Sequence, residues 1–491
     1  MATIASAGSG NWNAGGSWTG GSVPGAGDEA HIDSGHTITL TANASVGNVV
    51  IDGGTIAGGG YKITCVKTSG RLFDHSGTIT GNLDVELQGT HSTTEDFMGT
   101  GNIRNLILNG SGLNVDIGRD TTIAGDLTIT QGTLHTNASS NHALTVAGIT
   151  RIGPDSGAAD QATLTCNASA ISLGSGITSS AYGVYVKQGG TFVGGSGTHT
   201  LGSLTIYNNA AAKCTLTSGV TTINGEHSGD NRSLNVKGTD GVLNHGSGTV
   251  TITYAGTSAI QELSGTLALN NLIINHASAH ISLKSILTLA GTLTVTAGTF
   301  TTDSNNYALT VTGELSNAGT FTGNASLVTV RNLLITAGTF TAPSDSGSGD
   351  LVITGEGNSG SGDGYAFRRT GGTFTHSSGT VTFTDNTTVS VRMNGVGSGQ
   401  KFNNVILNEA SAGLILQTND EGFYCEGDLT LTAGDFDLTS AAALVTVEGD
   451  VSIASGNTLG SISSQQTANN SFGSLTIASG GTYSATSGTT T

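Results

Sequence analysis

Acidic residues that stand close together in the sequence are the side chains that come nearest to catalytic chemistry. Hydrolysis of a glycosidic bond needs two carboxyl groups about 5–10 Å apart, in a groove that also offers aromatic rings to the sugar. The candidates are Glu95, Asp96, Asp120, Asp420, Glu421, Asp435 and Asp437, with Phe423 and Tyr424 close to two of them. Only 5% of the chain is aromatic, and most of these acids stand beside Gly, Ser or Asn. We therefore interpret them as solvated carboxylates of turns.

Three histidines occupy equivalent positions in a recurring phrase. Equivalent histidines stacked on successive coils could bind a row of metal ions. His75, His245 and His376 each precede a short segment that contains Gly-Thr, and they stand far apart in the sequence. Coils of different repeats would hold them far from one another. We expect turn-capping or surface histidines rather than metal ligands.

Motifs of known chemistry are absent from the sequence. It has no EF-hand loop, no Gly-Gly-x-Gly-x-Asp calcium repeat, no P-loop and no nucleophile elbow. Matches to Gly-x-Gly-x-x-Gly carry no information in a chain with 77 glycines among 491 residues. The sequence therefore assigns no catalytic, cofactor-binding or metal-binding residue, and we expect a protein that is not an enzyme and needs no cofactor.

The four cysteines, Cys65, Cys166, Cys214 and Cys425, form no Cys-x-x-Cys pair. Neither a zinc site nor a redox motif is indicated. Cys65 and Cys166 lie in alternating, strand-like segments, where a thiol serves as a small apolar filler. We expect buried free thiols, which suit assembly in a reducing cytoplasm.

The formal net charge is −18, which opposes binding to nucleic-acid phosphates or to an anionic membrane surface. No apolar run approaches the ~20 residues that cross a bilayer, and the first residues lack the basic and apolar segments of a secretion signal. We predict a soluble chain that binds no nucleic acid and does not insert into a membrane. The isolated cations are expected to be solvated; they are Lys213, Lys237, Arg368 and Arg369.

A long phrase occurs three times and indicates the architecture. Its copies begin at Gly125, Gly291 and Gly427, and each follows a phrase of the type Asn-Leu-Ile-Leu-Asn that begins at Asn105, Asn271 or Asn404. Together with the histidine phrases they define composite repeats over residues 75–148, 245–313 and 376–449. Repetition of short strands is typical of a stacked solenoid.

Alternating apolar and polar residues fill these repeats, as in Leu-Thr-Val-Thr from Leu293. Alternate side chains of a strand point to opposite faces, so Leu, Val, Ile and Phe face inward and Thr faces outward. Phe300, Phe321 and Phe340 recur at nearly equal intervals, which predicts one coil in about 20 residues with Phe stacked over Phe. No segment has a helical apolar period. The fold class predicted is all-β, a parallel β-solenoid (β-helix) with about 20 residues per coil and almost no helix.

Residues 1–40 differ from the rest because they carry both tryptophans, Trp12 and Trp18, in a Gly-rich loop. A solenoid must cover its end, since an open last layer exposes core and a strand edge. We interpret residues 1–40 as an N-terminal cap or attachment module and residues 41–491 as a continuous solenoid. Stacking of the tryptophans on a sugar ring is the alternative. The loops at 154–160, 344–350 and 355–365 are expected to project, where binding residues most often lie.

The repeats resemble those of β-helical surface proteins of bacteria and of structural proteins of marine tailed bacteriophages. The residues that carry this resemblance are the three composite repeats and the opening Gly-Asn-Trp-Asn and Gly-His-Thr-Ile-Thr-Leu phrases, before Ala14 and after Ser34. The resemblance implies a β-helical fold and a virion or cell-surface protein. The bacterial versions usually carry a secretion signal, which is not seen here, and this favours the virion.

The function expected is that of a non-enzymatic bacteriophage structural protein: a fibre, spike or capsid-surface appendage involved in attachment to the host surface. Its partners would be other virion proteins of the capsid or tail, with a host-surface glycan as a further partner. The resemblance also carries the expectation of a homotrimer. One alternative is a secreted bacterial adhesin or surface filament, located outside the cell. The other is a polysaccharide-degrading tailspike.

Overall fold

The chain folds almost entirely as β-strand. The computed structural model describes residues 2–491 except 69, 90–94, 99–102, 156–160, 176–182, 208–210, 228, 239, 346–349, 358–363, 386–387, 394–399, 410–414, 419–421, 438–443, 461–466, 468 and 486. It is a parallel β-solenoid of about 18 turns with about 23 residues per turn, and 1% of it is helical. The predicted fold class is confirmed.

Two compact units divide the chain, one formed by Met1–Tyr254 and Glu262–Ser264 and the other by Ala255–Gln261 and Gly265–Thr491. The strands before residue 255 are Thr3–Ala5, Gly10–Asn11, Glu29–Asp33, Thr37–Thr39, Ala44–Val46, Asn48–Asp52, Thr55–Ala57, Lys62–Cys65, Phe73–His75, Thr78–Thr80, Leu83–Leu87, Glu95–Met98, Ile103–Ile117, Thr121–Ile123, Leu127–His135, Leu144–Val146, Thr150–Ile152, Ala162–Thr165, Ile171–Leu173, Val184–Val186, Gly190–Val193, His199–Leu201, Leu204–Ile206, Lys213–Thr215, Val220–Ile223, Arg232–Val236, Val242–Asn244 and Thr249–Ile252.

The strands after residue 255 are Thr257–Glu262, Thr266–Leu269, Asn271–Leu283, Ile286–Leu289, Leu293–Thr301, Leu309–Asn317, Thr320–Thr322, Val328–Ile335, Thr339–Thr341, Asp350–Ile353, Tyr365–Arg369, Thr373–Thr375, Thr380–Phe383, Thr388–Met393, Asn404–Asn408, Ile415–Thr418, Phe423–Cys425, Leu429–Ala433, Asp435–Asp437, Val445–Ile453, Thr458–Gly460, Ser471–Ile477 and Thr482–Ser484. Two single turns of 3₁₀ helix, Gly15–Ser17 and Thr19–Gly21, are the helical elements of the described residues.

Each turn of the first unit contributes short strands that pair in parallel with their counterparts one turn later. Thr150–Ile152 pairs with Val184–Val186, which pairs in turn with Leu204–Ile206. A second stack runs alongside, as where Leu164 lies opposite Phe192. Because equivalent residues lie over one another, the inward apolar side chains form a continuous core.

The coil length is not uniform, and the average of about 23 residues per turn is close to the predicted period of about 20. Thr150 lies opposite Val184 and Val184 lies opposite Leu204, so the first of these coils holds far more residues than the second. The strands keep their length while the corners between them lengthen, because corner residues are outside the parallel ladder. The shortest coils have the predicted period, and the average of about 23 residues includes the longer corners.

A ladder of phenylalanines runs through the core of the second unit. Phe300, Phe321, Phe340 and Phe374 are paired in register on successive coils. Their ring centroids are 6.0, 4.6 and 6.1 Å apart, with interplanar angles of 21°, 5° and 11°. The prediction that Phe stacks over Phe is confirmed for these coils.

The N-terminal module is built around its tryptophans. Trp12 and Trp18 are each only 1% exposed, and their rings meet edge to face with centroids 5.1 Å apart. The Trp18 indole N–H donates to the Trp12 carbonyl at 2.7 Å. Stacking on a sugar needs an open ring face, so this alternative is wrong, and the burial of both rings agrees with a cap.

Each copy of the recurring phrase has an asparagine that forms a hydrogen bond to the next coil at a corner. The first Asn of each Asn-Leu-Ile-Leu-Asn phrase accepts a backbone N–H from the next coil through its side-chain oxygen. The pairs are Asn105 with Asp126 at 2.8 Å, Asn271 with Thr292 at 2.9 Å and Asn404 with Asp428 at 2.9 Å. A Cβ added to the preceding Gly125, Gly291 or Gly427 would lie 2.5, 2.0 or 2.1 Å from that oxygen. The repeated Asn and Gly are therefore a matched pair that joins successive coils.

Candidate functional site

The acids singled out from the sequence have different roles in the part of the chain that the structure describes. Asp120 has a side chain that is 80% exposed, and its Oδ1 accepts the Ala143 N–H at 2.8 Å. Asp435 accepts the Thr458 N–H of the next coil at 2.6 Å. Both carboxylates thus join successive coils, as the asparagines do.

The remaining acids have other placements. Asp437 lies on a strand and is 5% exposed, so the expectation of a solvated turn carboxylate is wrong there. Its burial follows from the position of the strand Asp435–Asp437 within the ladder. Glu95 and Asp96 lie on the strand Glu95–Met98, and their side chains lie outside the described part of the chain, as do Asp420 and Glu421 entirely.

The three equivalent histidines differ in their surroundings. His245 and His376 accept backbone N–H groups from Ser247 at 2.9 Å and Ser378 at 3.0 Å, so the expected turn-capping role is confirmed for both. His75 is instead a strand residue that is 2% exposed, with its ring 6.5 Å from the Phe73 ring. The prediction of a turn or surface histidine is wrong there, because the chain enters a strand before the residue.

A cluster of polar side chains, mostly half-buried, lies on the second unit around Tyr424. The Lys401 ammonium lies 5.5 Å from the centre of the Tyr424 ring and 3.0 Å from a Glu426 carboxylate oxygen. His376 Nε2 lies 3.0 Å from the other Glu426 oxygen. The Tyr424 hydroxyl donates to Glu448 on the next coil. We name these five residues the Tyr424 cluster.

The contacts within the Tyr424 cluster shift the pKa values of three of its residues. The hydrogen bond from Lys401 lowers the pKa of Glu426, and the same contact raises the pKa of Lys401. The hydrogen bond to Glu448 raises the pKa of Tyr424. A glycosidase needs one carboxyl group that keeps its proton through a raised pKa. Glu426 is shifted the other way, so this cluster presents a fixed anion, a cation and an aromatic ring.

A second aromatic cluster lies on the first unit and was not found from the sequence. The Tyr185 and Tyr207 rings are 6.3 Å apart, and Tyr207 is 39% exposed. Lys187 lies 5.0 Å from the Tyr185 ring and Lys237 lies 5.7 Å from the Tyr207 ring. Lys237 also pairs with Asp230 at 3.0 Å, so the expectation of a simply solvated cation is wrong for it. We name these five residues the Tyr207 cluster.

The spacing of the residues indicates both clusters only once the average coil length is known from the structure. Tyr207 follows Tyr185 by close to one average coil, and the same interval separates Lys401 from Tyr424 and Tyr424 from Glu448. Outward side chains at that interval become neighbours on successive coils.

The other cations singled out from the sequence contact the structure locally. Arg368 lies 5.2 Å from the Tyr365 ring, and Arg369 donates to the Gly372 carbonyl at 2.6 Å. Lys213 is exposed at the start of the strand Lys213–Thr215, in agreement with the expectation of a solvated cation. These contacts hold the two arginines against their own strand and corner, so the expectation of solvated cations is wrong for them.

The cysteines are all buried and free, which confirms the prediction made for Cys65 and Cys166. Burial raises the pKa of the Cys65 and Cys425 thiols to about 12 and raises the pKa of Cys166 and Cys214 as well. A thiol that stays protonated is a poor nucleophile and a poor metal ligand. In the described ranges, no group of three or more His, Cys, Asp or Glu side chains is arranged to hold a metal ion.

The parts of the expected loops that the structure describes are short. Residues 156–160, 346–349 and 358–363 of the loops at 154–160, 344–350 and 355–365 lie outside the described residues. Within the described chain, no helix has the length and apolar character that spanning a bilayer requires. The chain matches no protein-family model, no curated protein and no solved structure.

Proposed function

We propose that the protein is a non-enzymatic structural protein of a bacteriophage virion, a fibre, spike or capsid-surface appendage that contributes to attachment to the host surface. One observation carries the proposal: the repeated polar residues serve coil stacking. The asparagines of the repeated phrase, together with Asp120 and Asp435, accept backbone N–H groups from the next coil. Residues that join successive coils are typical of a structural protein. The partners of this protein would be other virion proteins.

The Tyr424 and Tyr207 clusters are the surfaces we propose for contact with a host glycan. Each places a tyrosine ring beside a lysine and a carboxylate. A sugar ring packs its C–H groups on an aromatic face while its hydroxyls hydrogen-bond to neighbouring charged groups, and Tyr offers both an apolar body and a polar tip. Glycan contact on the side of a solenoid needs no enclosed pocket.

The experiment that tests the structural role is cryo-electron microscopy of native virions from the source, with mass spectrometry to identify the chain. Density for the chain on a capsid or tail is the expected result. Detection of the chain only on a cell envelope would overturn the virion proposal and favour the secreted adhesin.

Glycan contact is tested separately with purified protein on an array of host-surface glycans. Tyr424→Ala and Tyr207→Ala are expected to weaken binding. Tyr61→Ala is the control, because Tyr61 lies outside both clusters and is 38% exposed, against 39% for Tyr207. Equal binding by all three variants contradicts the contact surfaces. Release of reducing ends from host capsule, abolished by Glu448→Gln, would establish the tailspike alternative instead.

A further inference from the structure

A regular array of threonines covers one strand stack of the second unit. Four successive coils carry the same Thr-Phe-Thr strand, and the residues pair in register from coil to coil. The threonines are Thr299 and Thr301, Thr320 and Thr322, Thr339 and Thr341, and Thr373 and Thr375. The first three pairs are half-buried and the last is exposed. We name these eight residues the Thr array.

The spacing of the array is set by backbone geometry in both directions. Two residues of a parallel strand advance by about 6.6 Å, and neighbouring strands lie about 4.8 Å apart. The array therefore repeats a hydroxyl and a methyl group on a nearly rectangular lattice, at whose edge the Thr301 hydroxyl also accepts hydrogen bonds from the Asp303 N–H and from Asn324 Nδ2. Thr is stiff at its first side-chain torsion, so these groups are held in place at a small cost in entropy.

The stacked Phe ladder lies beneath the array and opposes the normal twist of the strands. β-Sheets normally twist, and flat ones are held by stacking or side-chain ladders. The rings of Phe300 and Phe321 differ by 21°, those of Phe321 and Phe340 are nearly parallel, at 5°, and those of Phe340 and Phe374 differ by 11°. The inward stacking thus aligns the outward threonines.

Glycine at the corner before each strand brings the coils close together. Gly298, Gly319, Gly338 and Gly372 precede the four Thr-Phe-Thr segments, Gly298 within the strand Leu293–Thr301, and Gly298, Gly338 and Gly372 have positive φ. A Cβ on Gly338 would lie 1.8 Å from the Gly319 carbonyl oxygen. The Thr339 N–H donates to the Gly319 carbonyl and the Thr373 N–H to the Gly338 carbonyl, each at 2.8 Å. The hydrogen bonds at the corners therefore set the same distance between coils as the hydrogen bonds between the strands.

The chemistry of this face selects its ligand. The outward side chains of the four strands are threonines alone, without charge and without an outward aromatic ring, since the Phe rings are at most 2% exposed. A polysaccharide is read by aromatic rings and charged hydrogen-bonding groups, which lie elsewhere, in the two tyrosine clusters. A flat, neutral lattice of hydroxyl and methyl groups matches a partner that is itself periodic, neutral and able both to donate and to accept hydrogen bonds.

We propose that the Thr array binds the surface of ice. Hydroxyl groups bridge to ordered water at little cost when they are already fixed, and methyl groups are surrounded by cages of water. A lattice of both groups orders water into the first layer of a crystal face. A bound protein then blocks growth at that face, because ice must bulge between the bound molecules. This activity is additional to the proposed structural role.

The experiment uses the full chain in two assays, partition of the protein into slowly growing ice and the gap between melting and freezing of a single crystal. The array variant is Thr320→Lys with Thr339→Lys, which places two charges at its centre. The matched control is Thr310→Lys with Thr329→Lys, since these half-buried threonines are paired in register on another strand stack. The wild type and the control are expected to enter the ice and open a freezing gap, and the array variant to lose both effects.

Other results overturn the proposal. The proposal is wrong if the wild type stays in the liquid fraction, or if the array variant enters the ice as well as the control does. Loss of self-association in the array variant, seen by sedimentation, would make the face an interface between copies. Loss of binding to insoluble chitin or cellulose would make it a polysaccharide surface. Circular dichroism checks the fold, and if the lysine variant is unfolded, Thr320→Ala with Thr339→Ala removes hydroxyl and methyl groups without adding charge.

Discussion

At the scale of the residue, polar side chains stabilise the fold through hydrogen bonds between successive coils, even where they are partly exposed. Asn271 accepts the Thr292 N–H, and the glycine before that threonine leaves room for the asparagine oxygen. The repeat therefore keeps backbone hydrogen bonds where strands end and the parallel ladder is interrupted. A buried polar group without a hydrogen-bond partner lowers the free energy of unfolding.

Gly291→Ala tests this pairing. The new Cβ would lie 2.0 Å from Asn271 Oδ1, so either the hydrogen bond or the corner must move. We expect a loss of about 1–3 kcal/mol in the free energy of unfolding, as for overpacking combined with a lost hydrogen bond. Denaturant unfolding measures it. Gly27→Ala is the control, because a Cβ there meets nothing within 4 Å, and equal losses at both positions would contradict the role of the asparagine.

A buried histidine in the first unit makes stability depend on pH. His199 is 1% exposed, its ring lies 5.8 Å from the Phe192 ring, and burial lowers its pKa to about 4, against a weaker opposite effect of the Gly194 backbone. The unfolded chain binds a proton below about pH 6.5, whereas the folded chain does not until about pH 4. The contribution of His199 to stability is therefore complete above pH 6.5 and is lost as the pH falls to 4, by up to about 3 kcal/mol.

The measurement is the free energy of unfolding of wild type and His199→Leu between pH 4 and 7. Carboxylates affect both proteins alike, so the difference between their slopes isolates the histidine. We expect the wild type to lose more stability than the variant over this interval. Identical slopes would show that His199 titrates normally in the folded protein.

At the scale of the element, one strand serves two purposes. In each Thr-Phe-Thr strand the central ring packs in the core and the flanking threonines face outward, so the core ladder and the outer array share one register. The Thr-Phe-Thr segment recurs on each of the four coils, whereas the corners vary in length. The strand is therefore the constant unit of the coil, and the corner is the variable one.

Phe300→Ala removes one ring of the Phe ladder. Phe300 has no exposed surface and contacts the Phe321 ring, so a large-to-small change there should cost about 3–5 kcal/mol. Phe472→Ala provides the comparison, since Phe472 is only half-buried and should lose clearly less. Denaturant unfolding of both variants measures the difference. A small loss for Phe300→Ala would contradict its place in the core.

At the scale of the whole molecule, stability comes from contacts between neighbouring coils and not from charge. Only 10% of residues are charged and the net charge is −18, so attraction between charges supplies little. Each coil meets the coils on either side of it, and the stability of such a fold is approximately a sum over neighbours. The two compact units are each built in this way.

The four thiols report on the integrity of both units together. Because Cys65, Cys166, Cys214 and Cys425 are buried and their pKa values are raised, the native protein should react with Ellman's reagent far more slowly than the unfolded chain. We expect four thiols to react in denaturant and almost none in buffer at pH 8. Rapid labelling of native protein would show that the coils around the reacting cysteine open.

Much of the architecture follows from the sequence by itself. Alternation of Thr with Leu, Val and Phe determined the strands and their inward faces. The nearly equal intervals between Phe300, Phe321 and Phe340 determined which strands lie over one another, because a solenoid places residues one period apart in contact. The burial of the cysteines followed from the same alternation.

Only the tertiary structure decided the features that depend on corner length. The burial of His75, the average of about 23 residues per turn and the meeting of Tyr185 with Tyr207 or of Lys401 with Tyr424 all require knowing how many residues each corner takes up. Corner residues have no alternating pattern, so local propensity does not predict their path. The strands are specified locally by side-chain alternation, whereas the surfaces they form are specified by the register between coils.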